Sequence, residues 1–181
     1  MNLELKRTPG IYLVGFMGSG KSTIGQLLSE TLGWPFADLD DDIISEAGKS
    51  IAELFDEDGE DSFRSVEATV LDRRIASVKL GRPIVLALGG GTFAQPANRA
   101  KLKGNGISIW LDVPFDIVQR RVAGFEHRPL ARDPEKFRTL FDARLPLYAE
   151  ADARIPITSD DPGQAVQSIL NQGWFHKVGS K

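Results

Sequence analysis

The most constraining feature of the sequence is the run Gly15-Phe16-Met17-Gly18-Ser19-Gly20-Lys21-Ser22. It follows the short apolar segment Ile11–Val14 and precedes a stretch whose apolar residues Ile24, Leu27, Leu28 and Leu32 recur every three to four positions. The run fits G-x-x-x-x-G-K-[ST] between a buried strand and a helix, the setting in which that pattern binds a nucleoside triphosphate. Glycines let backbone N–H groups turn inward around phosphates, and the helix N-terminus adds partial positive charge. Gly18, Ser19, Gly20, Lys21, Ser22 and Thr23 are therefore the candidate ATP-binding residues, with Lys21 reaching the β- and γ-phosphates and Ser22 a ligand for Mg²⁺. A dinucleotide site is the weaker rival, since G-x-G-x-x-G does not occur in this loop.

The rest of the chain predicts further strand and helix segments. Pro35–Ala37 reads as a second strand, with the acids Asp40, Asp41 and Asp42 opening a helix that runs through Ala47 to a Gly48 stop. Ser50 and Glu53 have capping-box spacing ahead of a longer helix striped by Phe63, Val66, Val70, Leu71 and Ile75. Ile84–Leu88 and Ile107–Leu111 read as buried strands, each followed by a helix, and Arg154–Thr158 as a weaker fifth strand. Asp133-Pro134 and Asp161-Pro162 open two further helices, and the residues after Leu170 read as a tail. This alternation implies one parallel sheet wrapped by helices, with ligands at the carboxyl ends of its strands.

Composition removes several functions. A chain of 181 residues, 41% hydrophobic and 26% charged, is the size and make-up of one globular domain, expected over residues 1–181. With 22 basic against 25 acidic residues there is no positive field for a nucleic acid partner. The absence of cysteine and the presence of only two histidines exclude disulfides, thiol nucleophiles and His-rich metal sites. No apolar run approaches the roughly 20 residues of a membrane helix, and the Lys6-Arg7 pair before Ile11–Met17 leads into Gly-Ser-Gly-Lys instead of a cleavage site. A cytoplasmic, monomeric protein without a membrane partner is expected.

The acceptor site has to be sought outside the phosphate loop. Asp38 and Asp40 stand two residues apart at the end of the second strand, so an extended chain points both toward the space above that loop. One suits Mg²⁺ through water, the other the proton of a hydroxyl nucleophile. A simpler reading is an acidic helix start, and it is favoured for Asp41 and Asp42. A second feature is Leu88-Gly89-Gly90-Gly91-Thr92, where three glycines end an apolar strand.

Together these segments resemble shikimate kinase from Gly15 to about Leu170. The resemblance rests on Gly15–Thr23, Phe36-Ala-Asp38-Leu-Asp40, Gly59–Glu67 with Arg64, Leu88–Thr92, Arg128-Pro-Leu130 and Arg144-Leu-Pro-Leu-Tyr148. It implies a P-loop, nucleoside-monophosphate-kinase-like three-layer α/β fold with a five-stranded parallel sheet. It also implies a substrate-binding region over about 40–67 and a lid over about 123–133. The implied reaction is transfer of the ATP γ-phosphate to the 3-hydroxyl of shikimate, on the route to chorismate and the aromatic amino acids, with Mg²⁺ as cofactor.

Carried over by position, Asp40 resembles the acceptor of the hydroxyl proton, with Asp38 near Mg²⁺. Arg64 and Arg144 resemble the pair that grips the substrate carboxylate, a task suited to a guanidinium fork. Gly89, Gly90 and Gly91 resemble the loop whose backbone approaches the substrate, Arg121 the residue packed on adenine, and Arg128 the lid arginine that meets the transferring phosphate. Lys21, Asp40 and Arg128 form the implied catalytic set. The chain departs from the pattern in having Ala131-Arg132 after Leu130, no basic residue in Thr158–Pro162 and no acid at the end of Ile84–Leu88. Two other readings stand beside this one: a kinase for another small hydroxy acid of the gluconate type, and an inactive ATP-binding regulatory module. Glu67, three residues after Arg64, could orient that arginine. His127 reads as a loop residue, His176 as tail, and Trp34, Trp110 and Trp174 as packing residues.

Overall fold

A computed structural model describes residues 3–5, 9–123 and 133–177. Its centre is a five-stranded parallel sheet of β2 (Gly10–Val14), β3 (Phe36–Asp38), β4 (Ile84–Ala87), β5 (Ile107–Asp112) and β6 (Ala153–Pro156), in the order β3-β4-β2-β5-β6. Every residue of β2 and β4 is buried. Consecutive buried positions require cover on both faces, as in parallel sheets sandwiched between helices. The cover comes from α1 (Lys21–Leu32), α2 (Leu39–Ala47), α3 (Ile51–Lys79), α4 (Pro96–Leu102), α5 (Phe115–Val122), α6 (Pro134–Tyr148) and α7 (Pro162–Leu170). A three-layer α/β fold results, as the sequence predicts.

Strand β2 pairs with β4 on one side and β5 on the other, so the chain leaves the middle of the sheet in both directions. A crevice opens at the carboxyl end of such a switch strand, and the phosphate loop occupies that end. Gly20 caps α1 with a φ of 88°, and Gly33 ends it with a φ of 68°, both left-handed conformations that glycine adopts without strain. Asp38 caps α2, Asp133 caps α6 and Asp161 caps α7, each side chain accepting a backbone N–H within the first turn.

Helices α2 and α3 pack against each other and span the residues 40–67. The Ser50–Glu53 capping box is present, and Arg73–Glu46 and Arg74–Asp42 tie the two helices together through paired contacts. Within α3, Gly59 (φ 80°, ψ 171°) interrupts the helical path, a break that the stripe of apolar residues did not disclose. Phe55 and Phe63 stack across it with ring centroids 4.5 Å apart.

The termini correct the expectation of a tail. Strand β1 (Leu3–Leu5) pairs antiparallel with β7 (Phe175–Lys177), with His176 opposite Glu4. The predicted strand boundaries also shift: β4 ends at Ala87, not Leu88, and β6 covers 153–156, not 154–158. Trp110 belongs to the core, and Trp34 and Trp174 pack against it. Among the described residues, no helix is long and apolar enough to cross a membrane.

Candidate active site

A cleft of about 690 Å³ opens over the carboxyl end of β2. Its lining brings together the phosphate loop from Met17 to Thr23, Asp38 and Asp40, Gly89 and Gly90, and Arg121 with the segment Ser159–Pro162. Residues far apart in sequence thus share one cavity, most of them at or just after the carboxyl end of a strand in the same sheet.

The phosphate loop is held in its curve by its own lysine. Lys21 Nζ donates to the carbonyls of Gly15 (2.9 Å) and Phe16 (3.0 Å), and the Ser19 N–H donates to Phe16 O at 3.1 Å. Phe16 anchors the loop from beneath, edge-on to Phe137 and Phe141 of α6 at 5.2 Å each. Next to Lys21, the Ser22 hydroxyl donates to Asp38 Oδ2 at 2.7 Å, while Asp38 Oδ1 accepts the Asp40 N–H at 3.1 Å. One carboxylate therefore links the first turn of α1 to the first turn of α2.

Asp40 lines the same cleft and lies against the glycine loop. A Cβ on Gly89 would lie 2.6 Å from Asp40 Oδ1, so no other residue leaves this carboxylate in place. Two positions on, a Cβ on Gly91 would lie 3.3 Å from the Arg64 guanidinium and 3.7 Å from Arg144 Nη2. The two arginines, from different helices, thus flank the same glycine.

They are held differently. Arg64 Nη1 donates to both oxygens of Glu67 (3.2 and 3.1 Å), and its Nε and Nη2 donate to Glu60. Glu67 is 2% exposed and also accepts the Thr92 hydroxyl at 2.7 Å and an Asn98 N–H at 3.4 Å. A buried carboxylate held by this many donors fixes the guanidinium against the site. Glu67 therefore acts on Arg64 as its three-residue spacing suggests, whereas nothing in the sequence ties Thr92 or Asn98 to Glu67. Arg144, half-buried on α6, has no ion-pair partner among the described residues. Its charge is available to an anionic ligand.

At the far end of the cleft Arg121 donates to Asp160 Oδ1 (2.7 Å) and to the Gly18 carbonyl (3.1 Å), and Arg120 donates to Asp160 Oδ2 (3.1 Å). The Arg121 contact holds the Asp160 carboxyl below the usual carboxylate range. Sequence reasoning noted only a missing base near this position; the acid found there pairs with both arginines. Arg128, His127 and the lid from 124 to 132 lie outside the described residues. A last contact was also not anticipated: the hydroxyl of Tyr148, itself buried, donates to Gly90 O at 2.7 Å.

A phosphate loop at the switch point of a parallel sheet, with one cleft over it, is the arrangement of a P-loop nucleotide-binding protein. The particular family emerges from comparison. The shikimate kinase family model matches residues 17–173. Shikimate kinase of Persephonella marina is 45% identical over 163 residues, covering 90% of this chain and 97% of the relative. The enzyme of Synechococcus elongatus is 44% identical over 164 residues, covering 88% and 84%. Among solved structures, shikimate kinase from Acinetobacter baumannii in complex with shikimate superimposes with a TM-score of 0.82 at 37% identity, covering 90% of each chain. The chain belongs to the shikimate kinase family, whose members are ATP-dependent kinases, and phosphorylation of shikimate is its activity. The gluconate-type and inactive-module readings give way to this match.

Proposed function

We propose that the transfer to the 3-hydroxyl of shikimate divides its tasks among the residues of the cleft. ATP lies with its phosphates in the loop Gly18–Thr23 and its adenine toward Arg121, which lines the same cleft and donates to the Gly18 carbonyl. The acceptor lies beyond Asp40, its carboxylate between Arg64 and Arg144. The observation that carries this reading is the approach of both guanidiniums to Gly91, one fixed by Glu67 and the other without an acidic partner among the described residues. A fixed fork meets a carboxylate in two parallel hydrogen bonds, which orients the ring as well as binding it.

With the ring so placed, a hydroxyl on its far side faces Asp40. Asp40 accepts the hydroxyl proton as the oxygen bonds to the γ-phosphorus and the bond from that phosphorus to the β,γ-bridging oxygen breaks, releasing ADP, and Lys21 turns from its loop carbonyls to the β- and γ-phosphate oxygens. The negative charge that spreads over the transferring group is met by Lys21 and the N-terminus of α1. Arg128, outside the described residues, is assigned to the same charge.

The donor set Ser22 Oγ and Asp38 Oδ2 fits Mg²⁺, a hard ion that keeps several waters and takes few protein oxygens when phosphates complete its shell. When bound, Mg²⁺ supplies charge neutralisation at the β- and γ-phosphates; Ser22 would hold it directly and Asp38 through water. Chelation of divalent cations is expected to abolish shikimate-dependent ADP release, and excess Mg²⁺ to restore it. Full turnover under chelation would remove Ser22 and Asp38 from this role.

A further inference from the structure

Tyr148 lies one helical turn beyond Arg144 on α6, so the two side chains emerge on the same face of the helix. Its ring is 1% exposed and lies 6.3 Å, centroid to centroid, from Trp110 of β5. Packing accounts for the ring; it does not account for the hydroxyl, which reaches out of the core to the Gly90 carbonyl at 2.7 Å. Burial raises the pKa of this hydroxyl, so it remains a neutral donor at any working pH.

The consequence lies on the other side of one peptide. The Gly90 carbonyl and the Gly91 N–H belong to the same planar trans unit and point in opposite directions. Fixing the carbonyl toward Tyr148 therefore fixes the Gly91 N–H away from it. Gly91 is the residue flanked by Arg64 and Arg144, and its N–H finds no acceptor among the described residues. A glycine pair without this restraint could rotate the peptide between its flanking φ and ψ angles at little cost.

We propose that Tyr148 is a positioning residue for the acceptor site: its hydroxyl locks the Gly90–Gly91 peptide so that the Gly91 N–H is presented to an oxygen of the substrate beside the two arginines. The proposal rests on the shikimate reading above. It makes α6 a single device that contributes the Arg144 charge and, through Tyr148, the orientation of a backbone donor on another loop.

Tyr148→Phe keeps the ring and deletes only the hydroxyl. Its KM for shikimate is expected to rise roughly five- to tenfold, about the worth of one neutral hydrogen bond, while its KM for ATP stays within twofold of the wild type. Turnover by the wild-type enzyme in the same assay tests the shikimate reading itself, so the two failures are distinguishable. An unchanged shikimate KM, or an equal rise in both KM values, overturns the proposal, whatever happens to thermal stability.

A second measurement does not depend on that variant folding. The chain has two tyrosines, and the other, Tyr12, donates to Asn105 O at 2.7 Å. In the 3-fluorotyrosine-labelled wild-type enzyme, assigned with Tyr12→Phe, saturating shikimate is expected to shift the Tyr148 fluorine resonance and leave that of Tyr12 in place. No shift at Tyr148 overturns the proposal.

Discussion

Asp40→Asn is expected to lower kcat by about 10² to 10⁴, the usual contribution of a placed general base, with ATP affinity unchanged. The substitution is isosteric and keeps the backbone N–H that donates to Asp38 Oδ1, so the start of α2 and the Asp38–Ser22 link survive. What is lost is the ability to take a proton beside the glycine loop. Nucleotide binding is assigned to residues 18–23 and Arg121, so ATP affinity is expected to hold in this variant. Nucleotide titration followed by single-turnover kinetics separates the two effects, and wild-type turnover in this variant would remove Asp40 from proton transfer.

The second large effect is expected from Arg144→Ala. The guanidinium has no ion-pair partner among the described residues, so its removal strands no buried acid and leaves the fold intact. Its loss takes away charged hydrogen bonds to the substrate carboxylate, each worth about 1.5–3 kcal/mol, or roughly 10- to 150-fold in kcat/KM for shikimate. Arg144→Lys should recover only part, since an ammonium keeps the charge but not the planar fork. Equal kcat/KM for Ala, Lys and wild type would contradict the carboxylate role. The same experiment on Arg64 is less clean, because deleting it leaves Glu67, buried at 2% exposure, without its cation.

Much of this site is legible in the sequence because its parts are local. The phosphate loop declares itself by spacing between one strand and one helix, and Asp38 and Asp40 by their place at a strand end. The structure adds that Asp38 serves as helix cap and as acceptor from Ser22, two tasks that a two-residue spacing does not separate. Arg64 and Arg144 are different. Nothing local distinguishes either from a surface arginine, and only the resemblance singled them out before the sheet brought both to Gly91.

What stayed hidden depends on contacts between distant segments. Thr92 and Asn98 reach Glu67 across 25 and 31 positions, and Asp160 reaches Arg121 across 39. Strands β1 and β7 are three residues each, too short to show alternation, and their pairing joins the two ends of the described chain. The break at Gly59 lies inside a segment whose capping box and apolar stripe both predict helix, and a single glycine is tolerated there often enough to give no warning.

Transfer of the ATP γ-phosphate to shikimate is the activity on which every assignment above depends. The most direct measurement is ADP release from Mg-ATP with shikimate, gluconate, a nucleoside monophosphate or no acceptor, with the phosphorylated position read by phosphorus-31 NMR. Release that requires shikimate, with phosphate on the 3-oxygen, is the predicted result. Release with gluconate or a nucleoside monophosphate in place of shikimate, or none with any acceptor from enzyme that binds ATP, would contradict it.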